Sequence, residues 1–488
     1  MSIDRRTLVK SAAVASAAGP FGGLVARQAT AAAHVAPRAA ELVPVEDLRD
    51  GMVRLHLPPG FSYRSFHDTK TEVVLHDGTV LPGRHDGMGA FRGPDDTVVL
   101  VRNHEVNNPQ PAFGSGDPYD PMAGGGTTTV HVTRRGDVLR SFTSLSGTMM
   151  NCSGGQMPWG AWVTCEETVN GPDVGADFTG TSNVPLTKPH GYVFEVPADH
   201  RKAAGRSRGK PIRSAGRFAH EAVSFDPVRG DLYLTEDNFA FASGFYRYRP
   251  PRHPMEAGRL RDGGRLQMLR VVGIDNAHLE AAQVAGTTYD VRWVDIDEPD
   301  VLYPYTPGED APTPNDTALT HVSSQGWERG AAHFSRLEGQ VYDDGVVYFT
   351  STQGGGAAED GTHDPAGYGN GSGQVWAYHI REKQLRCVFQ SSGPLELDLP
   401  DNITTSRRGT LVVCEDSSGD NFIRGLSQDG QIWDIALNRL RGSGGNERFG
   451  DEFAGSTFSP DGRTLFVNIQ AGAGMTFAIW GPWRSIGV

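Results

Sequence analysis

Residues 408–416, RGTLVVCED, contain in order a turn, a short run of β-forming residues and a pair of acids. The apolar run has the length of a buried strand and is rich in β-branched residues. Counting this stretch, a turn, a β-rich run and then polar or acidic residues occur in this order six times, also in DDTVVLVRNHE (95–105), WGAWVTCEE (159–167), RGDLYLTED (229–237), DDGVVYFTST (343–352) and DGRTLFVNIQ (461–470). Such recurrence predicts a fold built from repeated strand units.

Two further segments accompany most of these units. A strand that enters a turn precedes the run, as in NCSGGQMPWG, HEAVSFDPVRG, LEGQVYDDG, PDNITTSRRG and EFAGSTFSPDG. A third strand follows after a variable gap, as in TTTVHVTRRG, HGYVFEV, SGFYRYR, GQVWAYH, GQIWDIA and TFAIWGPW. Six units of three or four antiparallel strands predict an all-β fold, a six-bladed β-propeller with loop insertions over one face. A pair of β-sandwiches is the alternative, and it fits six matched units less well.

The N-terminus predicts export. Arg5 and Arg6 precede a short stretch of small and apolar residues that ends in alanines near Ala33. This is the layout of a twin-arginine signal peptide, so we expect residues 1–33 to engage the twin-arginine translocon. We therefore expect a periplasmic, cell-surface or extracellular protein without a stable membrane anchor. Residues 34–488 are then a single propeller domain, with an insertion at about 250–332.

The net charge excludes one class of partner. The formal charge of −13 argues against nucleic acid as a partner. Four cysteines are too few for a fold held together by disulfides. Nothing in the sequence demands an oligomer, and we expect a monomer.

The repeat places metal-binding side chains in equivalent positions. Four residues before Gln156, Phe225, Tyr342 and Thr405 stand Cys152, Glu221, Glu338 and Asp401, respectively. In a propeller the first strand of each blade lines the central channel, so these side chains should converge. In the last unit the nearest acid is Glu452, offset by two positions.

A second set of acids ends the second strands, namely Glu105, Glu166, Glu167, Glu236 and Glu415, with Asp237 and Asp416 as the partners of the last two. Antiparallel pairing brings the end of the second strand beside the start of the first. Both sets should therefore meet at one mouth, where cations would offset their repulsion. Oxygen ligands suit Ca²⁺ or Fe³⁺, and the thiol indicates a transition metal. The sequence leaves open which acid of each pair binds.

Simpler interpretations exist for each of these residues. One acidic pair after a strand is usually a solvated turn, and Cys152 could be a buried small residue or a disulfide partner of Cys165. Recurrence in register favours a metal site, since a solvated turn has no reason to repeat its acid. Arg336 shares a strand face with Glu338 and is either a counter-ion or a phosphate-binding fork. Asn103 offers a further polar contact in the first unit.

Together these segments resemble the PhoX family of bacterial alkaline phosphatases. The resemblance rests on the twin-arginine start, RNHE (102–105), NCSGGQMPWGAWVTCEE (151–167), FAHEAVSFDP (218–227), SRLEG (335–339), LPDN (399–402), LVVCED (411–416), EFAGSTFSPDGRTLFVNIQ (452–470) and GPW (481–483). Family sequences often have Asn-Asn-Cys-Ala-Gly-Gly and Arg-Pro-Glu, where this chain has Met150-Asn151-Cys152-Ser153-Gly154-Gly155 and Arg336-Leu337-Glu338. These departures spare the candidate ligands.

The resemblance implies a propeller whose channel holds Fe³⁺ and Ca²⁺ and hydrolyses phosphate monoesters. It implies that Cys152 is the iron-binding thiolate, that Glu221 and Glu338 bridge metals, and that Arg336 grips the substrate phosphate. The expected nucleophile is a metal-bound oxide or hydroxide, and the expected partners are small phosphorylated substrates. Two alternatives stay open: a calcium-dependent propeller hydrolase of lactones or phosphotriesters, and a non-catalytic secreted propeller that binds calcium.

Overall fold

Antiparallel strands dominate the computed structural model, which describes residues 41–114, 116–359, 364, 367–442 and 444–488. The predicted signal peptide, residues 1–33, lies outside this part of the chain. The strands are β1 Val43–Glu46, β2 Val53–Leu57, β3 Ser62–Phe66, β4 His85–Arg92, β5 Val98–His104, β6 Gly125–Val132, β7 Val138–Thr148, β8 Asn151–Met157, β9 Ala161–Glu166, β10 Val193–Pro197, β11 His220–Phe225, β12 Leu232–Glu236, β13 Phe245–Arg249, β14 Arg265–Val271, β15 Thr288–Asp295, β16 Leu337–Asp343, β17 Val346–Ser351, β18 Gln374–His379, β19 Gln384–Gln390, β20 Pro400–Thr405, β21 Leu411–Glu415, β22 Phe422–Leu426, β23 Ile432–Asn438, β24 Phe453–Phe458, β25 Thr464–Ile469 and β26 Met475–Trp480.

Hydrogen bonding joins these strands into five sheets. Their orders are β4-β5-β6-β7, β8-β9-β10, β11-β12-β13-β14-β15-β19-β18-β17-β16, β20-β21-β22-β23-β2-β1 and β24-β25-β26-β3. The nine-stranded sheet arises because β15 pairs with both β14 and β19. The last sheet combines both ends of the described chain, since β3 pairs with β26.

The strands that begin the repeat units form a closed cycle. We call β4, β8, β11, β16, β20 and β24 the inner strands. Each contacts the next around the ring, and β24 returns to β4. The predicted all-β, propeller-like arrangement is therefore confirmed.

Apolar residues fill the spaces between neighbouring sheets. One cluster lies between the groups that begin with β20 and β24 and includes Leu55, Val412, Trp433 and Phe477. Another joins the β8 and β11 groups through Val163, Phe218 and Leu234. The repeated runs of the sequence supply much of this core, as their β-branched and aromatic composition predicts.

The predicted insertion at 250–332 contains regular structure. Besides β14 and β15, which extend the sheet, it holds three short helices: α1 Pro254–Ala257, α2 Asn315–Leu319 and α3 His321–Trp327. Two 3₁₀ turns, Arg213–Ala215 and Trp483–Ile486, lie elsewhere. Within the described ranges no helix has the length and apolar character needed to cross a membrane.

Candidate metal centre

A β-bulge interrupts every inner strand near its start. The ladder between the first and second strands skips two residues in each of the six inner strands. In five of them the first skipped residue can bind a metal; these are Asp86, Cys152, Glu221, Glu338 and Asp401. A bulge bends a strand and redirects a side chain, which is why bulges are common at active sites.

The backbone around these bulges is strained and tightly packed. A residue with positive φ stands immediately before four inner strands: Arg84, Met150, Arg336 and Leu399, with φ between 40° and 48°. In four of the five strands with a candidate ligand, the residue after that ligand is small, namely Gly87, Ser153, Ala222 and Gly339. A Cβ on Gly339, for example, would lie 2.7 Å from the backbone nitrogen of Ile403 in β20.

Seven side chains meet in three linked groups, which we call the carboxylate cluster. The groups are Cys152–Glu167–Glu221, Glu221–Glu338–Asp401 and Asp401–Asp416–Glu452. Within each group the candidate ligand atoms lie within 4.8 Å of one another. Glu221 and Asp401 each belong to two groups, so the cluster is continuous.

Glu221 is the least compensated residue of the cluster. Its side chain is fully buried, and neither Oε1 nor Oε2 has a hydrogen-bond partner in the described part of the chain. Burial, followed by repulsion from Glu167 and Asp401, raises the pKa of its carboxyl well above the usual value. A buried carboxylate in this state is strongly destabilising unless a proton or a cation compensates it.

The same causes act on the other members of the cluster. Burial raises the pKa of Glu167, Glu338, Asp401 and Glu452, and in each case a neighbouring aspartate adds repulsion. Burial also raises the pKa of the Cys152 thiol, with further contributions from the acids around it. Cations at this position would reverse these shifts, because they favour the ionised ligands.

Arg336 lies at the edge of the carboxylate cluster. Its Nη2 donates to Asp237 Oδ2 at 2.8 Å and to Glu338 Oε1 at 2.9 Å, and its Nε contacts both Asp237 oxygens at 3.2 Å. Its Nη1 has no hydrogen-bond partner among the described residues. The side chain is 18% exposed, so part of it is accessible from solvent.

The structure separates the two acids of each predicted pair. Glu166, Glu236 and Glu415 are the last ladder residues, opposite Asn151, His220 and Pro400. All three accept hydrogen bonds from backbone N–H groups at or just before the third strand, at Gly191 and Tyr192, Gly244, and Phe422, respectively. His190 Nδ1 lies 2.6 Å from Glu166 Oε1, and Arg424 Nε donates to Glu415 Oε1. The Tyr246 hydroxyl donates to the same Glu236 oxygen as Gly244, and Glu236 Oε1 has no hydrogen-bond partner among the described residues. These three acids therefore brace the sheets and do not join the carboxylate cluster.

The acid that follows each of them lies at the cluster. Glu167 and Asp416 belong to it, and Asp237 holds Arg336. The backbone N–H groups of all three donate to the residue just before the inner strand, at Met150, Leu399 and Ala219. This hydrogen bond closes the ladder at the point where these acids lie.

Glu105 lies in a side group with Asp86. Arg84 pairs with Glu105, and Gln470 Nε2 donates to Glu105 Oε2 at 2.5 Å and to Asp86 Oδ2 at 3.0 Å. Burial and the Glu105 charge raise the pKa of Asp86 to about 7. Asn103 is fully buried; its Nδ2 donates to the carbonyls of Cys152 and Ser153, and its Oδ1 accepts from Trp162. Asn103 thus supports β8 and has no free polar atom for a substrate.

The cysteines are free thiols, so Cys152 and Cys165 form no disulfide. Cys165 is buried on β9 opposite Val193 and packs in the core. His220 faces away from the cluster, where it stacks on Phe218 and its Nε2 lies 3.0 Å from the Gly216 carbonyl.

Three residues of the site were not among the predicted ligands: Asp86, Asp416 and Glu452. The signal for Asp86 is the triplet HDG (85–87), which matches NCS, HEA, LEG and PDN in the other inner strands. Asp416 was present as the second acid of a pair. Glu452 precedes its strand, as Arg336 does, and its carbonyl closes the ladder to Gln470.

Comparisons with known proteins agree with this architecture. A family model described as alkaline phosphatase PhoX matches residues 40–473. The structure of Pseudomonas fluorescens PhoX in complex with vanadate, a transition state analogue, aligns with a TM-score of 0.63 and 16% identity over 92% of this chain and 98% of that chain.

Other similar structures are more distant. A gluconolactonase from Xanthomonas campestris aligns with a TM-score of 0.38 and 12% identity, covering 91% of this chain and 98% of that one. Virginiamycin B lyase from Staphylococcus aureus gives a TM-score of 0.38 and 12% identity, covering 86% and 99%. No curated protein matches the sequence. Since the family model spans most of its length, the chain belongs to the PhoX family of alkaline phosphatases.

Proposed function

We propose that this protein hydrolyses phosphate monoesters with the help of cations held by the carboxylate cluster. One observation carries the proposal: Glu221 is fully buried, belongs to two ligand groups and has no hydrogen-bond partner for either oxygen among the described residues. A group of this kind requires positive charge nearby, and the Arg336 side chain contacts other acids. The family assignment supports phosphate esters as the substrates.

The donor set fits both Fe³⁺ and Ca²⁺. Cys152, Glu167 and Glu221 combine one sulfur with two carboxylates, which suits iron. Asp401, Asp416 and Glu452 offer only oxygen, which suits calcium. Cations bound there would neutralise phosphoryl oxygens and lower the pKa of bound water.

Arg336 is the residue that we expect to bind the substrate phosphate. Asp237 and Glu338 fix its guanidinium from one side, and Nη1 stays free to donate to a phosphate oxygen. A charge-assisted hydrogen bond of this type strengthens as negative charge builds on the phosphoryl group. Asp237 thus acts as a positioning residue for Arg336.

We propose that the sheets divide into six blades. The six inner strands form one cycle, and each is followed by a second and a third antiparallel strand. The nine-stranded sheet then corresponds to two blades, β11 to β14 and β16 to β19, linked through β15. This division also accounts for the six repeats of the sequence.

We further propose that residues 1–33 direct export by the twin-arginine route, that residues 34–488 act as one monomeric domain, and that small phosphorylated molecules are the substrates. The twin arginines at positions 5 and 6 support export. In the described part of the chain, the continuous ring of inner strands supports one domain.

Metal analysis combined with a substrate panel tests the function. We expect the exported protein to contain iron and calcium and to hydrolyse p-nitrophenyl phosphate, with activity lost in EDTA. Cys152→Ala should lose iron and activity, and Glu221→Gln should lower both metals. Cys387→Ala, a buried thiol on β19, is the matched control and should keep both.

Other results would contradict the proposal. Turnover of a lactone or a phosphotriester without turnover of the monoester would indicate a different hydrolase. Bound calcium without any turnover would indicate a binding protein. Full activity in Cys152→Ala would remove the iron assignment.

A further inference from the structure

An exposed aromatic ring stands beside the proposed phosphate-binding arginine. Two phenylalanine side chains are exposed in the described ranges, Phe178 and Phe239. Phe239 is 46% exposed, and its ring centroid lies 5.8 Å from Arg336 Cζ. It follows Asp237, the carboxylate that holds Arg336, by two positions.

The loop that carries Phe239 is well anchored. The Phe239 carbonyl accepts a hydrogen bond from the Tyr368 backbone N–H at 2.7 Å. Asn238 closes the loop, since its own N–H donates to Ser243 Oγ and its Oδ1 accepts from the Phe241 N–H. A ring on a braced loop loses little conformational freedom when a ligand stacks on it.

A glycine makes room for the ring. Gly367 has a positive φ of +108°, and a Cβ at this position would lie 3.2 Å from Phe239 Cε2. Any side chain there would crowd the phenyl group. The ring thus lies close to both Gly367 and Arg336 and remains 46% exposed.

Exposure increases from the carboxylate cluster toward the ring. Glu338 is buried, Arg336 is 18% exposed and Phe239 is 46% exposed. An ester whose phosphate meets Arg336 Nη1 must direct its leaving group away from the buried acids. A leaving group that extends from Arg336 toward solvent has Phe239 within reach, since the ring centroid lies 5.8 Å from Arg336 Cζ.

We propose that Phe239 is a stacking surface for the leaving group and that the preferred substrates are phosphate monoesters of flat aromatic or heteroaromatic groups. This inference rests on the proposed phosphatase function. Flat groups stack on a phenyl ring in offset or edge-to-face geometry, whereas a short aliphatic group gains little from it. Phe239 would set specificity and take no part in the chemistry.

Three esters with similar leaving alcohols test the inference: benzyl, cyclohexylmethyl and ethyl phosphate. In Phe239→Ala, kcat/KM for benzyl phosphate should fall about tenfold, while that for ethyl phosphate should stay within about twofold. Cyclohexylmethyl phosphate has a similar size without a flat face and should lose less than benzyl phosphate. Phe239→Tyr should keep the benzyl preference. Phe178→Ala, the other exposed phenylalanine, is the control and should resemble the unmodified protein.

The outcomes separate this inference from the proposed function. If the unmodified protein hydrolyses none of the three esters, the phosphatase function fails. If it hydrolyses them and Phe239→Ala lowers kcat/KM for all three esters by the same factor, Phe239 has only a structural role and the inference fails. An unchanged ratio of benzyl to ethyl turnover in Phe239→Ala would overturn it as well.

Discussion

At the residue scale, Arg336 is a cation bound on one side and open on the other. Asp237 and Glu338 engage two of its nitrogens, and Nη1 is free of partners in the described ranges. Arginine suits this position because its planar fork can hold two acids and still donate to a phosphate. A lysine would carry the same charge on a single nitrogen.

We therefore expect Arg336→Lys to keep its metals and lose substrate binding. Loss of the fork should lower kcat/KM for p-nitrophenyl phosphate about 100-fold, the value of one or two charge-assisted hydrogen bonds. Steady-state kinetics with metal analysis of the same sample measures both quantities. Arg134→Lys, a surface residue paired with Asp96 and Asp461, is the control and should be unchanged. Unaltered kcat/KM in Arg336→Lys would contradict the role of the fork.

At the element scale, the bulge explains what the sequence could and could not predict. Cys152, Glu221, Glu338 and Asp401 were predictable because each occupies the first bulge position of its strand. In β24 that position is Gly455, where a Cβ would lie 2.3 Å from the Asp86 carbonyl. The last unit therefore cannot place its acid there, and Glu452 supplies it from before the strand.

The choice between paired acids was not predictable for a different reason. The side chain of the last ladder residue accepts hydrogen bonds at or just before the third strand of the same sheet, whereas the side chain of the next residue lies at the carboxylate cluster. Which residue is last depends on where pairing stops, as with Glu415 opposite Pro400. Sequence patterns rarely fix that boundary to a single residue.

The close approach of the inner strands predicts that Gly339→Ala damages the site. Its Cβ would lie 2.7 Å from Ile403 N and 2.8 Å from both Asn402 Cα and the Asp401 carbonyl, so β16 and β20 must separate. Glu338 and Asp401 would then no longer meet, and we expect at least about a tenfold loss of activity with weaker metal binding. Gly444→Ala is the control, because no atom lies within 4 Å of its Cβ position. Calcium titration of both variants provides the measurement, and equal affinities would contradict the packing argument.

At the scale of the whole molecule, the ring of inner strands brings together acids that repel one another. The contacts around the ring depend on bulged strands packed against one another, while the carboxylates at their starts repel. Protons or cations must supply the missing positive charge. Metal binding should therefore stabilise the whole ring, since its free energy adds to that of folding.

The metal-free protein should lose stability as the pH rises. Burial and neighbouring acids raise the pKa of Asp86 to about 7, and the same causes raise the pKa values of Glu221, Glu338 and Asp401 well above their usual range. The unfolded chain releases these protons near about pH 4, whereas the folded chain keeps them, so folding binds protons and the free energy of unfolding falls with pH. For Asp86 the fall runs from about pH 4 to about pH 7, and the other acids contribute a fall of the same sign.

Thermal unfolding at pH 5.5, 7.0 and 8.5, at constant ionic strength, checks this expectation. With EDTA, Tm should drop by about 5 °C or more between the lowest and highest pH, since several buried acids contribute. With calcium and iron bound, the ionised ligands are neutralised and the drop should be less than half as large. Glu221→Gln removes one buried charge, so its metal-free form should be more stable than the metal-free unmodified protein at pH 8.5. A metal-free Tm that stays constant or rises with pH would show that the folded ring does not hold these acids protonated.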